Sequence, residues 1–234
     1  MLRQSIKDVY FLWNQYLCLP NTAIARLRFR NPKHAEGHYI HLGCGDDYIE
    51  GMVNVDGNWR RRSDLWLDLR NKLPFADKSV AVLYCSHTIE HLYPEQSMAL
   101  LKEMRRILSP CGIIRIAVPS FEHAMRIVAG DMTSAWPREF ESSDSQAINY
   151  LFCDGQHRYA FCFATLERFA KEAGFPTVVN VSRDHGVTKQ RYGRLWLGGE
   201  PRGSLVVELL NCDDRGATLA GATDEALDKP LSIA

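Results

Sequence analysis

The sequence predicts an open, doubly wound α/β sheet of seven mostly parallel strands, with an N-terminal helical extension. Three observations lead there. Val80–Cys85 (VAVLYC) is an unbroken apolar run of strand length, as a parallel strand covered on both faces requires. Tyr39–Leu42 is a shorter run that passes directly into Gly43-Cys44-Gly45, a strand feeding a glycine turn. Met98, Leu101, Met104 and Leu108 then recur at helical spacing before a further apolar run, Ile113–Val118. Strands that alternate with helices in this way form parallel sheets through right-handed crossovers.

The other elements follow in order. Residues 3–30 read as one or two amphipathic helices broken near Pro20, arginine-rich in the second half, and residues 1–36 make up the extension. Met52–Val55 is a second strand ending at Asp56, and Leu65–Leu69 a third that contains Asp68. Pro94 opens the long helix, Arg105 and Arg106 suit the dipole of its last turn, and Ser109-Pro110-Cys111-Gly112 is expected to end it. Pro119 stops the fifth strand. Residues 121–163 are irregular, aromatic and partly helical, the expected lid region. Thr165 is expected to cap a helix with Leu166, Phe169, Ala170 and Ala173 on one face and Gly174 at its end. Thr177–Ser182 and Ser204–Leu210 are the last strands, joined by a long loop containing glycines. The main domain is thus 37–210, and 211–234, which has no periodicity, is expected to be a disordered tail.

Formal net charge is zero over the 234 residues, so no overall field favours nucleic acid or an anionic membrane. No apolar run approaches the roughly 20 residues that span a bilayer. Asn14 and Gln15 interrupt the apolar stretch Val9–Pro20, so neither a transmembrane segment nor a signal peptide is expected. Seven scattered cysteines without a Cys-x-x-Cys pair suit reduced thiols in a cytoplasmic protein and exclude an obvious zinc knuckle.

Ligands of open α/β sheets bind outside the carboxyl ends of the strands. Here those ends carry Gly43-Cys44-Gly45, Asp56, Asp68 and Ser86-His87, which must line one edge. Glycine lets a ligand approach the backbone. An acid after the second strand can accept from a ribose diol, and an acid one strand over from an adenine amino group. Each feature is weak alone; in this order they describe a nucleoside site. NAD fits poorly. Its pyrophosphate needs a helix N-terminus and a third glycine, whereas only the seven residues Asp46–Met52 separate Gly45 from the next strand.

At these residues the chain resembles the class I S-adenosylmethionine-dependent methyltransferase superfamily. Within it the resemblance is closest to small predicted methyltransferases with the type 11 core, and it covers about residues 38–210. It is carried by His41-Leu42-Gly43-Cys44-Gly45, Val53-Asn54-Val55-Asp56, the stretch Leu73–Val80, Glu90-His91-Leu92 and the stretch Leu101–Pro119. The resemblance implies a Rossmann-like fold with S-adenosyl-L-methionine as cofactor. Gly43, Cys44 and Gly45 would border the methionine moiety, Asp56 hold the ribose, Asp68 with Leu69 read adenine, and Ser86 and His87 lie near the sulfonium. Asp47 stands where the superfamily commonly has a third small residue, and the following helix is missing. Close relatives share this shortening and often lie in polysaccharide gene clusters, which implies a small-molecule or saccharide acceptor.

His87-Thr88-Ile89-Glu90-His91 also matches H-x-x-E-H, so a metal-dependent hydrolase is the alternative, with a non-catalytic nucleoside-binding module as a third reading. Between a strand end and Pro94 there is little room for the helix that a zinc peptidase needs. Some members of the superfamily hold a divalent ion through a Glu-His pair in this loop with a further histidine. Glu90, His91 and His157 answer to that pattern, but the expectation is that Glu90 and His91 make hydrogen bonds and that no metal is held. The fourth strand is not followed by an Asn/Asp-Pro-Pro-Tyr motif, which argues against methylation of nucleobase amines and agrees with no nucleic-acid partner. The expected reaction is O-methylation with His157 as general base and His91 second. The N-terminal helix is expected to pack over the cofactor edge with its arginines solvated, peripheral membrane contact being the alternative.

Overall fold

The computed structural model describes residues 2–29, 31, 37–130, 142–152, 156–193, 195 and 200–211. Helices α1 (Leu2–Leu17) and α2 (Leu19–Arg28) precede strands β1 (His38–Leu42), β2 (Val53–Asp56), β3 (Leu65–Trp66) and β4 (Val80–Ser86). Helix α3 (Pro94–Ile107) leads into β5 (Leu108–Pro119), and α4 (Phe121–Val128), α5 (Ser143–Phe152) and α6 (Phe163–Glu172) follow. Strand β6 (Thr177–Val181), helix α7 (Val187–Tyr192) and β7 (Ser204–Leu210) are the last elements among the described residues.

The seven strands form one sheet in the order β3-β2-β1-β4-β5-β7-β6. The pairs from β3 through β5 are parallel, and β7 runs antiparallel between β5 and β6. This mixed sheet has the seven mostly parallel strands expected. Side chains alternate across it. Ile40, Leu42, Leu83 and Ile114 pack with α2, α3 and α6 on one face, while Tyr39, Val82, Tyr84 and Ile113 pack with Val187 and Tyr192 of α7 on the other. Both faces are therefore covered, which is why Val80–Cys85 is wholly buried.

Several boundaries differ from expectation. Helix α3 ends at Ile107, and Leu108 already pairs with Val80, so the Ser109–Gly112 turn lies inside a 12-residue β5 with an irregular register. Burial of Leu108 against the sheet outweighs the turn chemistry that follows it. Strand β3 stops at Trp66, because Asp68 turns the chain by accepting from its own neighbour, the Arg70 amide (3.0 Å). Thr165 lies within the first turn of α6, which Cys162 precedes as N-cap. The glycine-containing loop before β7 holds the unforeseen α7. The expected tail, apart from Asn211, lies outside the described residues.

Helix α1 packs beside the carboxyl ends of β2 and β3. Tyr10 Oη donates to the Gly57 carbonyl (2.7 Å), Asn14 Nδ2 to Asp68 Oδ2 (3.1 Å) and Asn71 Nδ2 to the Gln15 carbonyl (2.6 Å). Arg26 and Arg28 are exposed, and so are Leu12, Trp13, Tyr16, Ile24 and Leu27 on the outer side. No helix among the described residues is long and apolar enough to cross a membrane.

Candidate active site

Parallel pairing from β3 to β5 brings the carboxyl ends of these strands to one edge. Gly43 and Gly45 both adopt left-handed backbone, φ +67 and +52, where a side chain is strained. Their surroundings differ. A Cβ on Gly43 would collide with the Thr88 side chain, whereas nothing described lies within 4 Å of a Cβ on Gly45. Gly43 is therefore needed for packing, and Gly45 borders open space that a ligand can use. Asp56 closes the turn: Oδ2 accepts from the Gly45 amide (2.8 Å) and Oδ1 from the Asn58 amide (2.6 Å). A carboxylate oxygen takes two hydrogen bonds, so each keeps one lone pair for a diol. Cys44 is buried and burial pushes its thiol up to about 12, so it is inert.

The missing crossover helix is replaced by a side-chain latch. Buried Asn54 donates through Nδ2 to the Ile49 (2.9 Å) and Met52 (3.1 Å) carbonyls and accepts at Oδ1 from the Ile49 amide (2.9 Å). Asp64 Oδ2 in turn accepts from the Asn54 amide (2.8 Å). The Ile49 amide and the Ile49 and Met52 carbonyls thus have partners without a helix.

Asp68 is a correction. It is buried and forked by Arg70, with Nε 2.8 Å from Oδ1 and Nη2 2.7 Å from Oδ2, and Asn14 and the Arg70 amide occupy its other positions. All four of its lone-pair positions are taken, leaving no free acceptor for the adenine amino group. Its effect on the edge is indirect: it holds Arg70, whose guanidinium lies 3.9 Å over the Phe11 ring. Leu69, the other residue expected at adenine, is half-buried against the core.

At the end of β4, Ser86 is half-buried and His87 has left-handed backbone, φ +48. A three-residue 3-10 turn, Ile89–His91, follows. His87 and His91 therefore lie on no common α-helix, and the H-x-x-E-H segment lacks the zinc-peptidase geometry. The turn instead collects histidines. The Glu90 carbonyl accepts from the Arg158 (2.7 Å) and Tyr159 (3.2 Å) amides, which brings residues 156–159 against it. The rings of His91 and His157 meet edge to face at 4.7 Å between centroids. His157 Nε2 lies 3.9 Å and His87 Nδ1 3.5 Å from Glu90 Oε1.

Burial governs the electrostatics here. Glu90 is 1% exposed and its carboxyl is pushed up to about 8 by desolvation. Desolvation also pushes His87 and His157 down to about 4 and lowers His91. Three neutral imidazoles therefore surround a carboxyl for which burial disfavours ionisation.

Ser204 was not foreseen. Its Oγ lies 2.7 Å from His87 Nε2. Only strand carboxyl ends were expected at this edge, but β7 is antiparallel, so it begins there, with Ser204 paired to Pro119. His123, near the start of α4, is the fourth histidine of the region and faces Tyr150.

Residues 39–116 match the family model described as a methyltransferase domain. No curated protein matches the chain. Among solved structures, it is similar to a SAM-dependent methyltransferase from Archaeoglobus fulgidus at 15% identity and TM-score 0.49, over 81% of this chain and 94% of that one. It is also similar to an S-adenosylmethionine-dependent methyltransferase from Mesorhizobium loti at 15% identity and TM-score 0.45, over 80% of this chain and 96% of that one. The family match covers the strand-end edge from β1 into β5, a third of the chain, within the seven-stranded sheet.

Proposed function

We propose that this enzyme methylates a hydroxyl oxygen of a small-molecule or saccharide acceptor in the cytoplasm. The observation that carries the reading is the histidine cluster at the end of β4, beside a glycine turn with room for a ligand. When bound, S-adenosylmethionine supplies an electrophilic methyl on a sulfonium, which passes in line to the acceptor oxygen and leaves a neutral thioether. Gly43, Cys44 and Gly45 border the methionine part, Asp56 holds the ribose through its remaining lone pairs, Leu69 contacts adenine, and Ser86 and His87 lie on the sulfonium side.

Orientation carries much of the rate, but the hydroxyl proton must also leave. His157 donates from Nδ1 to the Leu151 carbonyl (2.7 Å), which fixes the tautomer and leaves Nε2 with a lone pair. His91 is held the same way by the Gln156 carbonyl (3.2 Å). These are the proton acceptors, His157 first and His91 second. Replacing His157 by Ala is expected to cut turnover about a hundredfold with cofactor affinity retained. The acceptor is found by incubating the enzyme with isotopically labelled methyl donor and fractionated cell extract. An alkali-stable labelled ether is the expected product. Label on amines or nucleic acid, or no transfer to any fraction, overturns the reading.

A further inference from the structure

Helix α1 has the reverse of the pattern that a water-facing helix needs. Its inner side carries the polar groups: Tyr10 and Asn14 donate to the Gly57 carbonyl and to Asp68, and Asn14 is only 4% exposed. Its outer side carries Val9, Leu12, Trp13 and Tyr16, spaced i, i+3, i+4 and i+7 and each 57–58% exposed. Ile24 and Leu27 do the same on α2, where Leu27 reaches 81%. An apolar stripe of this kind marks a surface that something covers.

The charge beside the stripe says what covers it. From Val9 to Ala35 the chain has four basic residues, Arg26, Arg28, Arg30 and Lys33, and no aspartate or glutamate. Arg26 and Arg28 are exposed on either side of Leu27 in sequence. On the loop that Tyr10 holds to α1 at Gly57, exposed Trp59 carries Arg60 over its ring at 5.3 Å. A second copy of the chain suits this face poorly, because a two-fold contact sets the same arginines against each other. An anionic lipid surface accepts both parts. Tryptophan, tyrosine and leucine enter the boundary between headgroups and acyl chains, and arginine stays with the phosphates. The net charge of zero over the whole chain does not oppose this, since salt screens charges beyond about 10 Å.

We infer that the outer face of α1 and α2 docks on a membrane surface rich in anionic lipid. No described helix is long and apolar enough to cross a membrane, so the contact is interfacial. The inner side of α1 is bonded to the carboxyl ends of β2 and β3, which docking therefore holds about one helix diameter, roughly 10 Å, from the lipid. The inference goes beyond the proposed function and does not rest on it.

The test floats the full chain with vesicles of equal parts phosphatidylglycerol and phosphatidylcholine, or of phosphatidylcholine alone. Binding to the mixed vesicles should be at least about tenfold tighter, and raising salt from about 0.1 M to about 1 M should remove most of that difference. Ile24→Ser with Leu27→Ser, and separately Arg26→Glu with Arg28→Glu, should each weaken binding to the mixed vesicles at least about tenfold. All four side chains are exposed, so both double variants should melt within a few degrees of the parent. Flotation with neither vesicle, equal binding to both, or undiminished binding by either double variant overturns the inference. A parent dimer that Ile24→Ser with Leu27→Ser breaks, without vesicle binding, overturns it too and assigns the face to a second copy. These readouts need neither cofactor nor acceptor, so their failure leaves the proposed function standing, and failure of methyl transfer leaves the docking face standing.

Discussion

At the scale of single residues, two glycines two positions apart separate packing from binding. Gly43→Ala forces a methyl into the Thr88 side chain, whereas Gly45→Ala meets nothing described and adds only the left-handed backbone penalty, about 1–2 kcal/mol. Gly43→Ala should therefore lower the melting temperature well beyond Gly45→Ala. Gly45→Ala should instead weaken S-adenosylhomocysteine binding, read by calorimetry, because its new methyl enters the ligand's space. Equal melting temperatures for the two variants would contradict this division. His41 offers a test of burial. Desolvation on β1 holds it down at about 4, with Nδ1 3.3 Å from Asn54 Oδ1. Its folded value is below its unfolded one, so between pH 6.5 and about 4 the unfolded chain binds the proton that the folded chain refuses. Stability from this group is present above that window and is lost as pH falls through it, on the order of 3 kcal/mol in all. Subtracting the unfolding profile of His41→Gln from that of the parent should reveal this slope. An identical pH dependence in the two would exclude His41 as its source.

At the scale of elements, the strands buried on both faces were legible because the run Val80–Cys85 has no other use, and Ser204–Leu210 matched residue for residue. The parallel order then placed Gly43, Asp56 and His87 on one edge. What stayed hidden was side-chain pairing across distant segments. Asn14 looked like a polar interruption of an apolar helix; it is buried and bonds Asp68, 54 positions away. Asp68 itself looked like a free strand-end acid, because nothing local reveals that Arg70 folds back on it. The short loop 46–52 read as a departure from the superfamily, and the Asn54 amide that replaces its helix could not be told from an ordinary strand residue. That amide can be tested. Asn54→Ala strands the Ile49 amide and two carbonyls in a buried place, so it should cost about 2–4 kcal/mol, more than an Asn→Ala change on a surface loop. It should also weaken cofactor binding, since the loop follows directly from Gly45. Urea unfolding and calorimetry measure the two effects, and a loss below about 1 kcal/mol would mean that the loop is held by other contacts.

At the scale of the whole molecule, the parallel half of the sheet carries the glycine-turn edge, and a buried charge cluster reinforces the β5–β7 ladder that joins the antiparallel half to it. Arg115 on β5 lies opposite Glu208 on β7. Its Nε is 2.7 Å from Glu200 Oε1 and its Nη1 3.0 Å from Glu208 Oε1, and all three side chains are buried. Arg115 also donates to the His185 (2.8 Å) and Arg183 (2.5 Å) carbonyls, while Glu208 accepts from the Val187 (2.6 Å) and Thr188 (3.0 Å) amides that begin α7. One guanidinium and two carboxylates thus tie β5, β7 and the segment before α7 together. Taking one partner from such a cluster leaves uncompensated buried charge and typically costs about 3–5 kcal/mol, whereas neutralising all members costs far less. Arg115→Met alone should therefore lower the urea midpoint sharply without changing the slope. The triple variant Arg115→Met, Glu200→Gln, Glu208→Gln should recover more than half of the loss, since neither glutamine carries charge and the one at 208 keeps an oxygen for one of the Val187 and Thr188 amides. Recovery of that kind identifies stranded charge as the cause. If the triple variant is as unstable as Arg115→Met, lost packing and the bonds of Arg115 to the backbone dominate instead, and the cluster is a clasp for the segment before α7 whatever its charges.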